Sequence, residues 1–375
     1  MVEIKYIPAT TLNNGLFNEI GIELELKGKK INIANIAGST MISWFYGKDY
    51  ENIRKQFNVN DDVMIIGDSG GFQIGSEKEK TGKEVRFNCF EILKWQEKNC
   101  NIGLVMDVPP SGNPGEDLFK LYSNQTKEYI ERFVERRSTT SKLKLYNILH
   151  GTNPRHLDIW YKNVNGFNLD GWATGPKPSS DCFTQSQAIL YLLEKGDVRH
   201  IHTLGVSGTS VIPILYYIAK KFEDKIDLIT FDSSSYLVGS LYRRYMLQQN
   251  NGFYFFIPEV EGVYIGKPIK LNKLPCDCPI CSNVTFKEMM EYKAGRLLSL
   301  HNLYDTLRYC NLLDSLKDEP EILKTFLKNK NRILKCFEYI DYCIKYNVNE
   351  GYKKYEKFFT NPNVVTPSTK SLFEY

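Results

Sequence analysis

The sequence predicts an α/β fold in which parallel strands and helices alternate around a closed barrel. Six short apolar segments end in polar or glycine-bearing tips, at residues 63–67, 102–106, 143–149, 167–172, 201–204 and 226–231. Amphipathic helical segments lie between them, for example at 126–137, 185–195 and 211–222. Six or more such units in one domain favour a (β/α)8 barrel over an open doubly wound sheet. The sequence also lacks the early Gly-x-Gly-x-x-Gly motif that is typical of dinucleotide-binding sheets.

The remaining elements are expected after the barrel segments. We place the last strand near residues 267–274, followed by a cysteine-rich turn and a helical C-terminus. Residues 324–346 carry apolar side chains at helical spacing with Lys and Arg between them, which predicts a surface-packed helix; a nucleic-acid contact is the alternative. The chain is therefore divided into a catalytic barrel (1–274), a metal-binding subdomain (275–310) and a helical C-terminal segment packed on the barrel (311–375).

Composition is that of an ordinary globular protein. The chain has 375 residues, 42% hydrophobic and 25% charged, and its net charge of +4 permits a nucleic-acid partner without requiring one. Of nine cysteines, three are clustered and six are scattered, a pattern typical of a reducing cytoplasm rather than of a disulfide framework. No signal-peptide core and no membrane-length apolar run is found, so no membrane partner is expected.

Four residues form a candidate metal site. Cys276, Cys278 and Cys281 lie within six positions, and His301 follows twenty positions after the last of them. Three thiolates and one imidazole are the ligand set of a closed tetrahedral zinc site. Because no coordination position stays open, the zinc is expected to be structural and the chemistry to lie elsewhere. The alternative is a chance cluster, with His301 an ordinary helix residue.

Candidate catalytic groups collect at the carboxyl ends of the predicted strands, where barrel enzymes carry their active sites. Three carboxylates, one imidazole and several glycines occur there. The strand tips are Asp68-Ser69-Gly70-Gly71-Phe72-Gln73 and residues 107–110, 150–152, 171–175, 205–208 and 232–235, which include Asp107, His150 and Asp232. This arrangement predicts an enzyme active site on one face of the barrel.

The run from Asp68 to Gln73, the Cys-x-Cys-x-x-Cys motif and the later His301-Asn302 resemble the tRNA-guanine transglycosylase superfamily. The resemblance covers roughly residues 31–308. It implies an irregular (β/α)8 barrel, or TIM barrel, with a zinc-binding subdomain. Members of this superfamily exchange guanine in a nucleic acid for a 7-deazaguanine base without ATP; its tRNA branches serve the queuosine and archaeosine pathways.

The resemblance implies roles for two of the carboxylates. Asp232 matches the family nucleophile, and a carboxylate can trap the positive charge that develops on the sugar. The alternative is that Asp232 caps a helix, because three serines follow it. Asp68 matches the general acid/base, which protonates the leaving base and deprotonates the incoming one. Its alternative role is to cap the tight Gly70-Gly71 turn.

Further residues match the base-binding positions. Ser69 and Gly71 lie where the backbone approaches a flat ligand, and Phe72 and Leu204 are expected to stack on opposite faces of the base. The alternative for Phe72 is a core position. Asp107 matches the residue that reads the donor edge of guanine, and its alternative is a solvated loop acid before two prolines.

The chain departs from the family pattern at two strand tips. His150-Gly151 stands where the family usually has Gln-Gly, so His150 either contacts the base directly or is a core or supporting residue. Gly171 lies in a segment that differs from the Gly-Gly-Leu-Ala-Val-Gly of tRNA enzymes, and its backbone is expected to contact the base. Trp172 adds bulk that could alter which 7-substituent fits.

The polymer is expected to be DNA, with tRNA as the alternative. Asp232 is followed by Ser-Ser-Ser-Tyr rather than by the Pro-Thr-Arg of bacterial tRNA enzymes, and few residues follow His301. The chain thus looks most like the DNA 7-deazaguanine transglycosylases of bacteria and bacteriophages, in the cytoplasm of a bacterial or phage-infected cell. Residues 242–245 (Tyr-Arg-Arg-Tyr) could hold phosphates and stack bases; a solvated helix face is the alternative.

Two other functions were weighed. A non-catalytic nucleic-acid-binding homologue is disfavoured because Asp68, Asp107 and Asp232 are all present. A hydrolase of free nucleosides is disfavoured because a zinc subdomain adds surface that a small substrate does not need. By analogy with tRNA enzymes the chain could form a homodimer, and it could require partner proteins to open a duplex.

Overall fold

Eight parallel strands form a closed barrel, which confirms the predicted fold class. The computed structural model describes residues 2–10, 23–26, 28–82, 86–110, 114–175, 181–196, 198–206, 208–241, 244–248, 253–256, 274–285, 288–289 and 295–359. The barrel strands are β1 (Glu3–Thr10), β4 (Ser39–Ser43), β5 (Met64–Asp68), β6 (Ile102–Leu104), β7 (Lys144–Leu149), β8 (Gly171–Thr174), β9 (His200–Thr203) and β10 (Leu228–Ser233). Two antiparallel pairs lie outside it: β2 (Glu23–Leu26) with β3 (Lys29–Asn32), and β11 (Arg244–Leu247) with β12 (Phe253–Phe256).

Strand β1 closes the barrel between β4 and β10. Tyr6 is paired with Phe231 on one side, and Ala9 with Met41 on the other. Neither β1 nor β4 was among the predicted apolar segments, because β1 is interrupted by Lys5 and Pro8 and β4 is half polar. The strand expected at 267–274 lies outside the described residues except for Leu274, and the eight-stranded barrel closes without it.

Helices follow most of the barrel strands, as predicted. They are α1 (Ile33–Ala37), α2 (Trp44–Gly47), α3 (Ile53–Gln56), α4 (Gly71–Thr81), α5 (Cys89–Asn99), α6 (Glu116–Arg136), α7 (Pro154–Val164), α8 (Cys182–Lys195), α9 (Ile212–Lys221) and α10 (Ser235–Leu241). Several begin at polar caps that accept a backbone N–H, including Asn88, Asn153 and Asp181. These caps satisfy N–H groups that the first helical turn leaves without partners.

The C-terminal part of the described chain is helical. It contains α11 (Arg296–Leu316), α12 (Pro320–Phe326), α13 (Asn331–Lys345), α14 (Val348–Tyr355) and a short 3-10 turn (Glu356–Phe358). The helical stretch predicted at 324–346 is therefore two helices, α12 and α13. Helix α13 packs on the barrel helix α9, where Phe337 stacks on Tyr217 and Asp341 accepts a 2.7 Å hydrogen bond from the Tyr217 hydroxyl. The proposed domain boundary at residue 310 falls inside α11.

The described helices include none that is both long and apolar enough to cross a membrane.

Candidate active site and metal centre

Asp68 ends strand β5 at the barrel mouth. The backbone N–H of Gly70 donates to its Oδ2 at 3.2 Å. Burial is the main cause that raises the pKa of Asp68 to about 7, with further contributions from the negative charges of Asp107 and, to a lesser extent, Asp232; a hydrogen bond with Ser43 opposes the shift. All three carboxylates are thus in electrostatic reach of one another. A carboxyl group that titrates near neutral pH can both donate and accept a proton there.

The first residues of α4 border this carboxylate group. A Cβ atom at Gly71 would lie 2.7 Å from the backbone oxygen of Asp107 and 2.8 Å from its Oδ1, so only glycine permits this approach without rearrangement. Phe72 is 54% exposed, which excludes the core alternative. Ser69 is fully buried, and its hydroxyl has no hydrogen-bond partner among the described residues.

Asp232 lies near the carboxyl end of β10 and is 7% exposed. Its Oδ1 accepts a 2.8 Å hydrogen bond from the backbone N–H of Gly205 and lies 3.4 Å from Nε2 of His202. The serine that follows Asp232 accepts the backbone N–H of Ser235 at 2.9 Å. Ser233 therefore does the local capping that was the alternative role for Asp232.

Asp107 and His150 form a buried pair on neighbouring strand tips. His150 Nε2 lies 2.7 Å from Asp107 Oδ2, and the two residues are 4% and 5% exposed respectively. His150 Nδ1 is hydrogen-bonded to the backbone oxygen of Gly175. Trp160 packs edge-on against the imidazole, with ring centroids 4.6 Å apart. Asp107 is therefore not a solvated loop acid.

The remaining predicted base-binding residues are Gly171, in β8, and Leu204, directly after β9. Leu204 follows β9, close to Gly175: its Cδ1 would be 3.3 Å from a Cβ atom at that glycine. Gly171 instead begins β8, at the amino end of the strand, where a Cβ atom would meet the Tyr146 ring at 2.8 Å. The structure therefore does not bring Gly171 to the carboxylates, and Gly175 occupies the carboxyl end of that strand.

Trp172 also differs from the expectation. Its ring stacks on Tyr161 of α7 with centroids 5.4 Å apart. Because α7 packs on the outside of the barrel, Trp172 points away from the barrel interior. This contact gives no support to the idea that Trp172 selects the 7-substituent.

The predicted metal ligands converge. One ligand atom from each of Cys276, Cys278, Cys281 and His301 lies within 4.8 Å of all the others. His301 Nδ1 is 3.6 Å from the sulfur of Cys278 and 3.3 Å from that of Cys281. An imidazole nitrogen and a thiolate sulfur bound to one tetrahedral zinc ion lie about 3.6 Å apart, so these residues fit the ion. The cluster could thus hold a metal, as predicted.

Neighbouring groups orient this cluster. His301 Nε2 is hydrogen-bonded at 2.8 Å to the backbone oxygen of Met246, so Nε2 carries the proton and Nδ1 is free to bind a metal. Hydrogen bonds with the Cys276 and Cys281 thiols lower the pKa of Cys278 to about 3, which favours the thiolate. Tyr245 stacks on His301 with centroids 3.8 Å apart.

The phosphate-binding and base-stacking role predicted for residues 242–245 is not confirmed. Residues 242 and 243 lie outside the described residues. Arg244 begins β11, and Tyr245 is buried against the metal cluster, so Tyr245 neither stacks nucleic-acid bases nor lies on a solvated helix face.

Asn302 connects the metal cluster to the segment after Asp232. Its side-chain amide donates to the backbone oxygens of Tyr236 at 3.1 Å and Arg244 at 3.0 Å. Its Oδ1 accepts the backbone N–H of Met246 at 2.9 Å. Because Tyr236 lies in α10, which directly follows β10, the metal-binding helix α11 supports the chain that carries Asp232.

Sequence reasoning missed His202. This residue is fully buried, with Nδ1 hydrogen-bonded to Thr230 Oγ1 at 2.8 Å and Nε2 directed at Asp232. Alternation in His200-Ile201-His202 was the available signal, since every second side chain of a barrel strand points inward. Gly175 was among the expected strand-tip residues, but the base contact was assigned to Gly171 because the predicted strand at 167–172 began and ended too early.

Comparison with known proteins adds a family likeness. No protein-family model matches the sequence. The tRNA-guanine(15) transglycosylase of Methanocaldococcus jannaschii is 23% identical over 309 residues, 76% of this chain and 43% of the relative. Those of Methanosarcina mazei and Aeropyrum pernix are 28% identical over 269 residues (68% of this chain, 48% of the relative) and 26% over 257 residues (64% and 44%).

The chain is similar to archaeal tRNA-guanine(15) transglycosylases. It spans less than half the length of these relatives. The likeness agrees with the superfamily that the sequence motifs indicated, and it does not support a specific likeness to the DNA-modifying branch.

Proposed function

We propose that the protein is a pentosyltransferase, a guanine transglycosylase that replaces guanine in tRNA with a 7-deazaguanine base. The observation that carries this proposal is the group of three carboxylates at one barrel mouth, with the pKa of Asp68 raised to about 7 by burial and by its neighbours. Its similarity to enzymes named for tRNA favours tRNA over the DNA expected from sequence. The alternative that is not an enzyme is a non-catalytic nucleic-acid-binding homologue.

The proposed reaction is a double displacement. Asp232 attacks C1′ of the nucleotide, the bond from C1′ to the guanine nitrogen breaks, and Asp68 gives its proton to the leaving base. An incoming 7-deazaguanine then loses a proton to Asp68 and attacks C1′, which releases Asp232. Splitting one displacement into two avoids a free oxocarbenium ion, and no bond energy from ATP is required.

The other residues are assigned binding roles. Asp107 accepts hydrogen bonds from the donor edge of the base, Phe72 and Leu204 cover its faces, and Ser69 and Gly71 border it. Cys276, Cys278, Cys281 and His301 are proposed to hold a structural zinc ion, which supplies folding free energy and no catalytic step. We also propose three regions (1–274, 275–310 and 311–375), a cytoplasmic location and a homodimer.

The test measures labelled guanine retained in polymer. The purified protein is incubated with labelled guanine and, separately, tRNA, single-stranded DNA and duplex DNA of equal guanine content. We expect label in tRNA, and none with Asp232→Ala. Label in DNA alone, including after partner proteins are supplied, would replace tRNA with DNA and keep the chemistry, since a duplex base must first be flipped out. No label in any polymer would favour the binding homologue.

A further inference from the structure

The hydrogen-bond partners of Asp107 and His150 determine how many protons the two side chains share. The backbone oxygen of Gly175 only accepts hydrogen bonds, so His150 Nδ1, which contacts it, must carry a proton. The other ring nitrogen, Nε2, faces Asp107 Oδ2 at 2.7 Å. With a bare Nε2 and an ionised carboxylate, two lone pairs would meet at hydrogen-bond distance in a buried site, which is strongly unfavourable. The pair must therefore hold one further proton.

That proton belongs on the imidazole. Imidazole binds a proton more tightly than a carboxyl group, with ordinary pKa values of about 6.5 and 3.9. The charge of Asp232, and that of Asp68 when it is ionised, add to the negative potential at this barrel mouth and so also favour a cation there. Among the described residues, no lysine or arginine forms a hydrogen bond or ion pair with either member of the pair. Trp160 covers the ring with an apolar edge.

The surroundings hold the imidazole in this orientation. The Trp160 indole is anchored by a 2.8 Å hydrogen bond from its Nε1 to the backbone oxygen of Ile148. A Cβ atom at Gly175 would lie 2.9 Å from His150 Cε1, so the carbonyl can approach the ring only because residue 175 is glycine. The ring is therefore enclosed between two acceptors and cannot also offer a nitrogen to a base.

We infer that His150 is a positioning residue: as an imidazolium ion it holds Oδ2 of Asp107, so that Oδ1 alone accepts the donor edge of the base. Oδ1 is the oxygen that borders Gly71, which precedes the exposed Phe72 in the chain. This replaces the direct base contact that was one expectation for His150. The proton assignment stands on the geometry of the pair alone, whereas the base contact and its kinetic consequences rest on the proposed function.

Proton count is measured on the ligand-free protein by ¹⁵N NMR of the five histidine side chains. His150, assigned with His150→Gln, should carry protons on both ring nitrogens near pH 7, and Asp107→Asn should reduce these to one. His156, which stacks on Phe119 of α6, serves as the control and should not change. A single ring proton on His150 in the unaltered protein would overturn the inference.

Kinetics provide the second readout. His150→Ala should raise the KM for guanine about tenfold or more with a smaller change in kcat, because Asp107 loses the donor that orients it. His150→Gln, which restores a neutral donor, should recover most of that loss. The KM of the unaltered protein should rise at alkaline pH as the pair loses its proton, whereas the KM of His150→Gln should lack this dependence.

In the comparison of KM between the unaltered protein and His150→Gln, the ionisation of guanine is the same for both proteins and therefore cancels. The proton assignment and the proposed function can each fail without the other. If guanine is incorporated but His150 holds one ring proton, the inference is wrong and the proposed function stands. If His150 is an imidazolium ion but no polymer is labelled, the proton assignment stands and the proposed function is wrong. Equal pH dependence of KM in both proteins would also contradict the inference.

Discussion

Asp232 Oδ1 accepts a 2.8 Å hydrogen bond from the backbone N–H of Gly205, across the carboxyl ends of β10 and β9. This bond stabilises the ionised carboxylate and fixes one of its oxygens. His202 Nε2 lies 3.4 Å from the same oxygen. One oxygen is thus held by the barrel, and we assign the other to attack on the sugar carbon.

Replacing Asp232 should abolish base exchange. Asp232→Ala removes the nucleophile, so we expect incorporation of labelled guanine to fall by roughly 10⁴-fold. Asp232→Asn should yield no covalent adduct with polymer on a denaturing gel, where the unaltered protein is retarded. Asp227→Asn is the matched control, because Asp227 precedes the same strand and its side chain is exposed. Near-normal exchange by Asp232→Ala would contradict the double-displacement mechanism.

Asp68 should make the protein less stable as pH rises. Its folded-state pKa of about 7 lies above the ordinary carboxyl value of about 3.9. Between these pH values the native state binds more protons than the unfolded state, so stability falls with increasing pH. Since Asp68 is partly accessible, we expect a loss on the order of 1–2 kcal/mol above pH 7.

Thermal unfolding of Asp68→Asn tests this sign. The variant should have a higher Tm than the unaltered protein above pH 7, and the difference should disappear below about pH 3, where the carboxyl group is protonated in both the folded and the unfolded state. Exchange activity should be nearly lost at every pH. Asp62→Asn, at an exposed position, provides the control and should show no such pH-dependent difference. A variant that is less stable at high pH would refute the assigned pKa shift.

Metal removal should affect folding more than chemistry. We expect one zinc ion per chain, and Cys278→Ser should lose it, because Cys278 is a fully buried member of the cluster. Loss of zinc should lower the Tm and loosen the Asn302 contacts with α10 and β11. Metal analysis by mass spectrometry and thermal unfolding measure both effects.

Cys343→Ser is the matched control for the metal site. Cys343 is also buried but lies in α13, away from the cluster. This variant should keep its zinc. Well-folded unaltered protein without zinc, or full zinc content in Cys278→Ser, would show that the cluster has another role.

The residues at the carboxyl end of a strand could be predicted from the sequence where the strand itself is mostly apolar. Asp68, His150 and Asp232 follow mostly apolar runs, so their place at the barrel mouth was predictable. The metal cluster was predictable because three of its ligands are local in sequence. Strand β8 has only four residues, and the expected segment ended two residues before it did; as a result, Gly171 at the amino end of the strand was counted with Gly175 at the mouth and was assigned the base contact.

The contacts between side chains on neighbouring strands could not be predicted from the sequence. The Asp107–His150 pair and the His202–Asp232 contact depend on strand register and on side-chain direction across neighbouring strands. Neither property follows from the spacing of residues along the chain. For the polymer, the absence of one motif after Asp232 favoured DNA, whereas similarity over most of the chain favours the tRNA alternative.

The exposed aromatic ring at the start of α4 provides the last prediction. Phe72 is 54% exposed and follows Gly71, which borders the Asp107 carboxylate, and an exposed aromatic ring at this position is suited to stack on a base. Stacking on a base contributes about 1–3 kcal/mol, so Phe72→Ala should raise the KM for guanine about tenfold, while Phe72→Tyr should keep it near normal. Phe90→Ala is the control, since Phe90 is similarly exposed at 47% but lies at the start of α5. Equal effects of Phe72→Ala and Phe90→Ala on KM, or none from either, would show that Phe72 does not cover the base.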